Sequence, residues 1–245
     1  MLPIEEYEVL RRRPPDRPAM LQQWRDLSFF HFSADPAEIQ RLIPADLTVD
    51  TYPGAEGRQC AWVGLVPFRM QRVTPRQIPP VPGCHAFPES NVRTYVHRNG
   101  ENPGVWFFSL DASNAFACRV ARQFYSLPYH HAVMSLNRKS GDIHYKSRRR
   151  RGGFGHDITA QIGETTGANP GSLEFFLAER YLLYSQRAGK LFTGQVYHTP
   201  YPLQDLKVVR LEESLVESNH IQPKLFEHSL FSPGVDVEVF ALKAV

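Results

Sequence analysis

Lysine is nearly missing from a chain that is otherwise well supplied with positive charge: arginine provides all but six of the 28 basic residues. Those six, Lys139, Lys146, Lys190, Lys207, Lys224 and Lys243, leave Schiff-base chemistry few candidates. Cysteine is sparser still. Cys60, Cys84 and Cys118 form no C-x-x-C pair, and two of them sit inside apolar runs. That pattern fits buried thiols in a reducing cytoplasm better than a disulfide framework or a zinc site. No Gly-rich phosphate loop leads from a strand into a helix, and neither HExxH nor GxSxG occurs, so the familiar cofactor, metal and serine-hydrolase classes have no support. No apolar run approaches the ~18 residues of a membrane span. The first residues lack a basic segment followed by an apolar one, so a soluble cytoplasmic protein with no signal peptide is expected.

The composition points to strands. The chain has 245 residues with 20 prolines, 16 glycines and 12% aromatics, which favours many short strands joined by turns over a helical bundle. No internal repeat or linker divides it. Residues 1–20 are charged and proline-rich and are expected to lie as an extended or short helical arm on the surface of one domain covering 21–245.

The stretch from Gly104 to His131 organises the reading. Val105–Leu110 is apolar on both alternating faces, as in a strand covered from both sides. Asp111, Ser113 and Asn114 then supply capping residues for a helix over Ala115–Tyr125. At roughly 100° per residue, Arg119, Arg122 and Gln123 share one sector of that otherwise apolar helix. A Leu127-Pro-Tyr-His-His131 turn follows. An acid, two arginines and this turn together suggest a pocket.

Elsewhere, Leu27–Phe32 and Cys60–Phe68 read as strands, with Gly64 marking a bulge or a close backbone approach. Asp35-Pro36 starts a short helix, and Pro75–Pro88 is a loop by composition. Glu89–Val96 alternates: Asn91, Arg93 and Tyr95 point one way, Val92, Thr94 and Val96 the other. Ile143–Lys146 and His156–Ile162 form a hairpin with a basic tip at Arg148–Arg151.

Several of these blocks together resemble a known group. Ala61-Trp-Val-Gly-Leu-Val-Pro-Phe68, Pro80-Val-Pro-Gly83, Asn91-Val-Arg-Thr-Tyr95, Phe107-Phe-Ser-Leu-Asp111, Leu127-Pro-Tyr129 and Phe231-Ser-Pro-Gly-Val-Asp-Val237 are similar to the YqjF-like bacterial proteins, a conserved group of unknown function. That group is more distantly similar to acetoacetate decarboxylase. The resemblance implies an α+β, mainly β, single-domain chain: a closed antiparallel β-barrel or cone of the acetoacetate-decarboxylase-like fold, with a few peripheral helices and a central cavity. It places Arg25 where the decarboxylases carry an arginine before their first core strand. It also sets Tyr129 and His130 where their catalytic lysine pair stands. Neither a phenol nor an imidazole forms an iminium, so decarboxylase chemistry of that kind is not expected here.

The candidate ligand-binding residues are therefore Arg25, Asn91, Arg93, Tyr95, Arg119, Arg122, Tyr129 and His130, with Tyr129 and His130 as candidate catalytic groups. The arginines favour an anionic organic ligand, because the planar guanidinium matches a carboxylate or phosphate. For Arg93 a pair with Glu89, and for Arg119 and Arg122 a pair with Asp111 or a solvated sector, are the structural alternatives. His31, between Phe30 and Phe32, reads as a core histidine, and Cys118 as packing. Two further functions stay open: an enzyme acting on a keto acid through another residue such as Lys146, and an interaction protein using the tip at 148–151. That tip lacks the interleaved aromatics of a nucleic-acid surface. No metal or cofactor is expected, and a homo-oligomer is left open.

Overall fold

A computed structural model describes residues 1–76, 86–223 and 225–245, apart from the side chain of Phe124. In chain order the elements are α1 (Ile4–Arg11), β1 (Met20–Ala34), α2 (Pro36–Gln40), β2 (Thr48–Val49), β3 (Tyr52–Pro53), β4 (Gln59–Pro75), β5 (Ala86–Arg98) and β6 (Glu101–Ala112). Then come α3 (Ala115–Tyr125), β7 (Tyr129–Lys139), β8 (Asp142–Arg149), β9 (Gly155–Thr165), α4 (Leu173–Ala178), β10 (Leu182–Arg187), β11 (Lys190–Tyr197), β12 (Gln204–Glu213), β13 (Leu225–Val239) and β14 (Lys243–Ala244). The expected loop at Pro75–Pro88 falls largely on 77–85, outside the described residues.

Strands β1, β4 and β5 form the wall on which everything else is mounted. Each is buried on both faces and sends alternate side chains to different cores. Phe30 and Phe32 of β1, Ala61, Val63 and Leu65 of β4, and Val92 and Val96 of β5 pack into one apolar cluster with β8 and β9. Leu27, Phe29, Val66, Phe68, Met70 and Phe87 face the other way, into a second. A strand covered on both sides calls for a nearly unbroken apolar run, which β4 supplies over residues 61–68, whereas β5 also buries Glu89, Asn91 and Arg93. Each such aromatic or aliphatic side chain stabilises the fold by roughly 1.5–3 kcal/mol on burial.

The pairing path runs β6–β7–β8–β9–β12–β13–β1–β4–β5, and β5 pairs with β6 in turn. A second path joins β6 to β13 through β10 and β11. The sheet is not wholly antiparallel, as the sequence had suggested. β6 pairs in parallel with β10 at Val105 and Trp106 and with β7 at Leu110–Ala112. The reason is topological: α3 is the crossover that carries the chain from the end of β6 back to start β7 alongside it. Asn114 caps α3 by accepting from the Ala117 amide at 2.9 Å.

Packing refines two more sequence expectations. The arm at residues 1–20 holds the short helix α1, which is docked on the domain: Tyr7 is buried, its ring 5.3 Å from Phe175 and its hydroxyl donating to Asp50 at 3.0 Å. The basic run is not uniformly solvated. Strand alternation turns Arg148 and Arg150 outward and Arg149 inward, where it meets Asp111 through two nitrogens at 2.9 Å. Arg149→Met would leave the Asp111 carboxyl buried and alone. It is expected to cost about 3–5 kcal/mol in urea unfolding, whereas Arg148→Met should stay within about 0.5 kcal/mol of the parent.

Candidate functional site

A cavity of about 840 Å³ opens between the second face of the β1–β4–β5 wall, β6, β10 and the inner side of α3. The register of the wall decides what enters it. Side chains directly opposite one another in an antiparallel pair share a face. Val66 stands opposite Asn91, Phe68 opposite Glu89, and Met70 opposite Phe87. Glu89, Asn91 and Arg93 therefore project as a polar file from a wall that is otherwise apolar. Arg93 lies opposite Gly64. A Cβ there would come within 3.3 Å of the Tyr95 hydroxyl and 3.4 Å of the His31 ring, so Gly64 marks a close approach rather than a bulge.

Arg93 is only 9% exposed. Its guanidinium lies 5.6 Å from the Phe29 ring and 5.7 Å from that of Tyr95, and its Nε has no hydrogen-bond partner among the described residues. The pair with Glu89 is not made; no carboxylate among the described residues forms an ion pair with Arg93. Asn91 Oδ1 is likewise buried without a partner. Arg180, also in the cavity lining, differs: Asp50 meets it at 2.9 Å, and the Tyr95 and Phe176 rings lie 5.1 and 4.4 Å away.

Glu89 and Tyr129 form the second polar element. The Tyr129 hydroxyl donates to Glu89 Oε2 at 3.1 Å. Burial pushes the Glu89 carboxyl up to about 8, with nearby Asp111 adding to the rise and the Tyr129 hydrogen bond opposing it. Glu89 is therefore largely a neutral carboxylic acid at pH 7. Burial and the neighbouring Glu89 raise Tyr129 well above the ordinary phenol range. The pair offers protons and hydrogen bonds, and no amine.

The other sequence candidates lie elsewhere. Arg25 is on the outer side of β1, bonded to the Val235 carbonyl and paired with Asp236 of the neighbouring strand. His130, one residue beyond Tyr129 on β7, has the opposite parity and is exposed. Partial burial and the charges of Arg149 and Arg122 lower its imidazole to about 4. Arg119 and Arg122 are exposed on α3, which is half solvated rather than buried; the Asp111 partner is Arg149. Tyr95 is not in the cavity lining. It sits behind it, fully buried, bonded to His31 Nε2 at 2.8 Å. Cys118 packs under α3 with its thiol pushed up to about 11 by burial, an inert state. Lys146 is on the outside of β8, 3.1 Å from Asp157.

Two residues that the sequence reading passed over belong to the site. Glu89 has the same strand parity as Asn91 and Arg93, so alternation alone was enough to find it. Arg180, with Glu179, interrupts the apolar run from Phe175 to Tyr184, a signal of a buried charge.

These features define a class, a mainly β, α+β chain of the acetoacetate-decarboxylase-like fold. The acetoacetate decarboxylase of Legionella pneumophila superposes with a TM-score of 0.63 at 14% identity, over 100% of this chain and 96% of that one. The enduracididine biosynthesis enzyme MppR complexed with pyruvate gives 0.63 at 12% identity, over 95% and 93%. Within that class the chain belongs to the family described as an uncharacterized conserved protein, a domain of unknown function that matches residues 21–236. The uncharacterized protein YqjF of Bacillus subtilis (strain 168) is 37% identical over 188 residues, 76% of this chain and 75% of its own.

The raised Glu89 carboxyl has a signed consequence. In the unfolded chain a glutamate titrates near ~4.3, so between there and about 8 the folded state holds a proton that the unfolded state releases. Rising pH over that window therefore favours unfolding. Glu89→Gln, which keeps an acceptor for Tyr129, should match the parent near pH 4.5. By pH 8 it should be more stable by on the order of 4 kcal/mol. Urea denaturation of both proteins across that range measures the difference; a constant gap would contradict a neutral Glu89.

Proposed function

We propose that the strand ring is a closed β-barrel, or cone, whose interior binds a small anionic organic molecule, with Arg93 as its principal anchor and Asn91, Glu89 and Tyr129 as hydrogen-bonding groups. The observation that carries this reading is a buried guanidinium facing an apolar cavity without a carboxylate among the described residues to neutralise it. A buried charge of that kind is costly unless something meets it. A ligand carboxylate is the simplest partner, since it accepts two parallel N–H bonds from one guanidinium. The volume is within the range that encloses most of a drug-sized ligand. That a decarboxylase and a pyruvate-bound biosynthetic enzyme share the fold supports a small-molecule site in this chain.

Iminium chemistry is not part of the proposal. No lysine lines the cavity among the described residues, and Lys146 faces the other side of its strand. The alternative use of the hairpin tip on a nucleic acid or acidic partner is weakened by Arg149, which is committed to Asp111.

A thermal-shift panel of monocarboxylates, sugar phosphates and neutral analogues tests the reading. An acid present at about 100 times its Kd should stabilise the protein by about 2.7 kcal/mol, and Arg93→Met should abolish that shift. The same variant should leave the ligand-free protein as stable as the parent or more so, because it removes an unpaired buried charge. Loss of stability without any anion effect would assign Arg93 a purely structural role. Borohydride added with acetoacetate should leave the intact mass unchanged.

A further inference from the structure

Resting on that reading, we infer that the ligand is an extended amphiphile: a single anionic head on Arg93 with a medium-length hydrocarbon body filling the rest of the cavity, rather than a compact acid of pyruvate size.

Three observations lead there. The first is charge. Arg180 is matched by Asp50, Glu89 is a neutral acid, and among the described residues no other charged side chain is buried in the lining. The interior therefore calls for one negative charge and no more, which disfavours di- and tricarboxylates and sugar phosphates. The second is composition. Around the polar file the lining is aliphatic and aromatic, with Leu27, Val66, Phe68, Met70, Phe87 and Leu110 all buried. An apolar surface of that extent gains free energy only if hydrocarbon covers it. A short acid would leave most of the space to water that has few polar groups to bond.

The third is direction. Glu89, Asn91 and Arg93 are all nearly inaccessible, at 3, 6 and 9%, whereas Arg17, Arg76 and Phe116 of the same lining are exposed at the rim. Along β5 itself, Glu89 and Arg93 are four residues apart, about 13 Å at the backbone. A three-carbon acid held by Arg93 cannot also occupy the space beside Glu89, Phe68 and Phe87. A chain that starts on Arg93 and runs out past Glu89 toward the inner side of α3 contacts all of them. Head-in orientation follows, because the opposite placement would bury a methyl terminus against Arg93 and leave its charge unmatched.

The test is a homologous series of saturated acids, acetate, hexanoate, octanoate and decanoate, each below its micelle concentration, measured by titration calorimetry on the full chain. Affinity should rise roughly fourfold for each added methylene. Arg93→Met should reduce decanoate binding at least roughly tenfold and bring it to the level of decanol. Ala121→Phe, on the half-exposed α3 where folding is least at risk, should weaken decanoate and leave acetate unchanged. If acetate and decanoate bind equally, the amphiphile is wrong while an anion site survives. If no acid binds, both fall. Should decanoate binding survive Arg93→Met but collapse in Arg17→Ala or Arg76→Ala, the head lies at the rim and the inference is overturned.

Discussion

Arg93 sets the terms for the candidate site, because its charge is buried and the protein supplies rings instead of a carboxylate to hold it. Phe29 and Tyr95 present their faces to the guanidinium, and each such contact is worth about 0.5–2 kcal/mol depending on desolvation. Those rings must themselves be fixed. His31 pins the Tyr95 hydroxyl at 2.8 Å, and burial holds that imidazole neutral, well below its ordinary range. Position 64 leaves room for that pin: a Cβ there would press on the Tyr95 hydroxyl at 3.3 Å and the His31 ring at 3.4 Å. A histidine that reads as a core residue is thus part of the support for a cavity group, one layer behind the lining.

Two other buried arginines show how the protein neutralises a guanidinium with a carboxylate of its own. Arg149 has Asp111 on two nitrogens and Ser218 on a third contact at 3.1 Å; Arg180 has Asp50, which also accepts from Tyr7. Both pairs knit segments distant in sequence, β6 to the β8–β9 hairpin in one case and the end of α4 to the β2–β3 region in the other. The chain thus matches these two buried charges with carboxylates of its own. Arg93 departs from that habit: Arg180 lines the same cavity and is paired, whereas Arg93 has no carboxylate partner among the described residues, and a break in local consistency of this kind is expected at functional positions.

Much of this was legible from residue order. Strand alternation over Glu89–Val96 correctly grouped Asn91 with Arg93, and the apolar runs at Leu27–Phe32 and Cys60–Phe68 marked strands; the run read as covered on both sides, Val105–Leu110, is only half-buried at Trp106, Phe107 and Phe108. The helix over Ala115–Tyr125 and the grouping of Arg119, Arg122 and Gln123 on one sector followed from periodicity; that this sector faces solvent and not a pocket did not. What alternation cannot supply is which face of a strand meets which neighbour. Tyr95 shares parity with Arg93, yet its hydroxyl turns to His31 and its ring packs against Phe176, behind the lining. Tyr129 and His130 were adjacent candidates, and consecutive residues of a strand necessarily diverge. Only one faces inward, and which one depends on the parallel register with β6, a long-range fact absent from the local sequence. Arg25 failed for a similar reason: its partner Asp236 lies on a strand more than two hundred residues later.

The relation between Glu89 and Arg93 explains why the cavity keeps a net positive interior. They share one face of one strand, and an ion pair between them would have cancelled both charges. At a separation on the order of 10 Å and an effective dielectric of about 20, their attraction is only about 1–2 kcal/mol. Taking a carboxylate out of water costs several kcal/mol. Burial therefore wins at Glu89, which keeps its proton, and Tyr129 bonds to a neutral acid. Spacing along β5 is thus the physical variable: with the two residues adjacent on the same face the pair would close and the site would be inert. Held four positions apart, one becomes a hydrogen-bonding acid and the other an unmatched cation, so recognition of an anion and the handling of protons are assigned to separate points of a single strand.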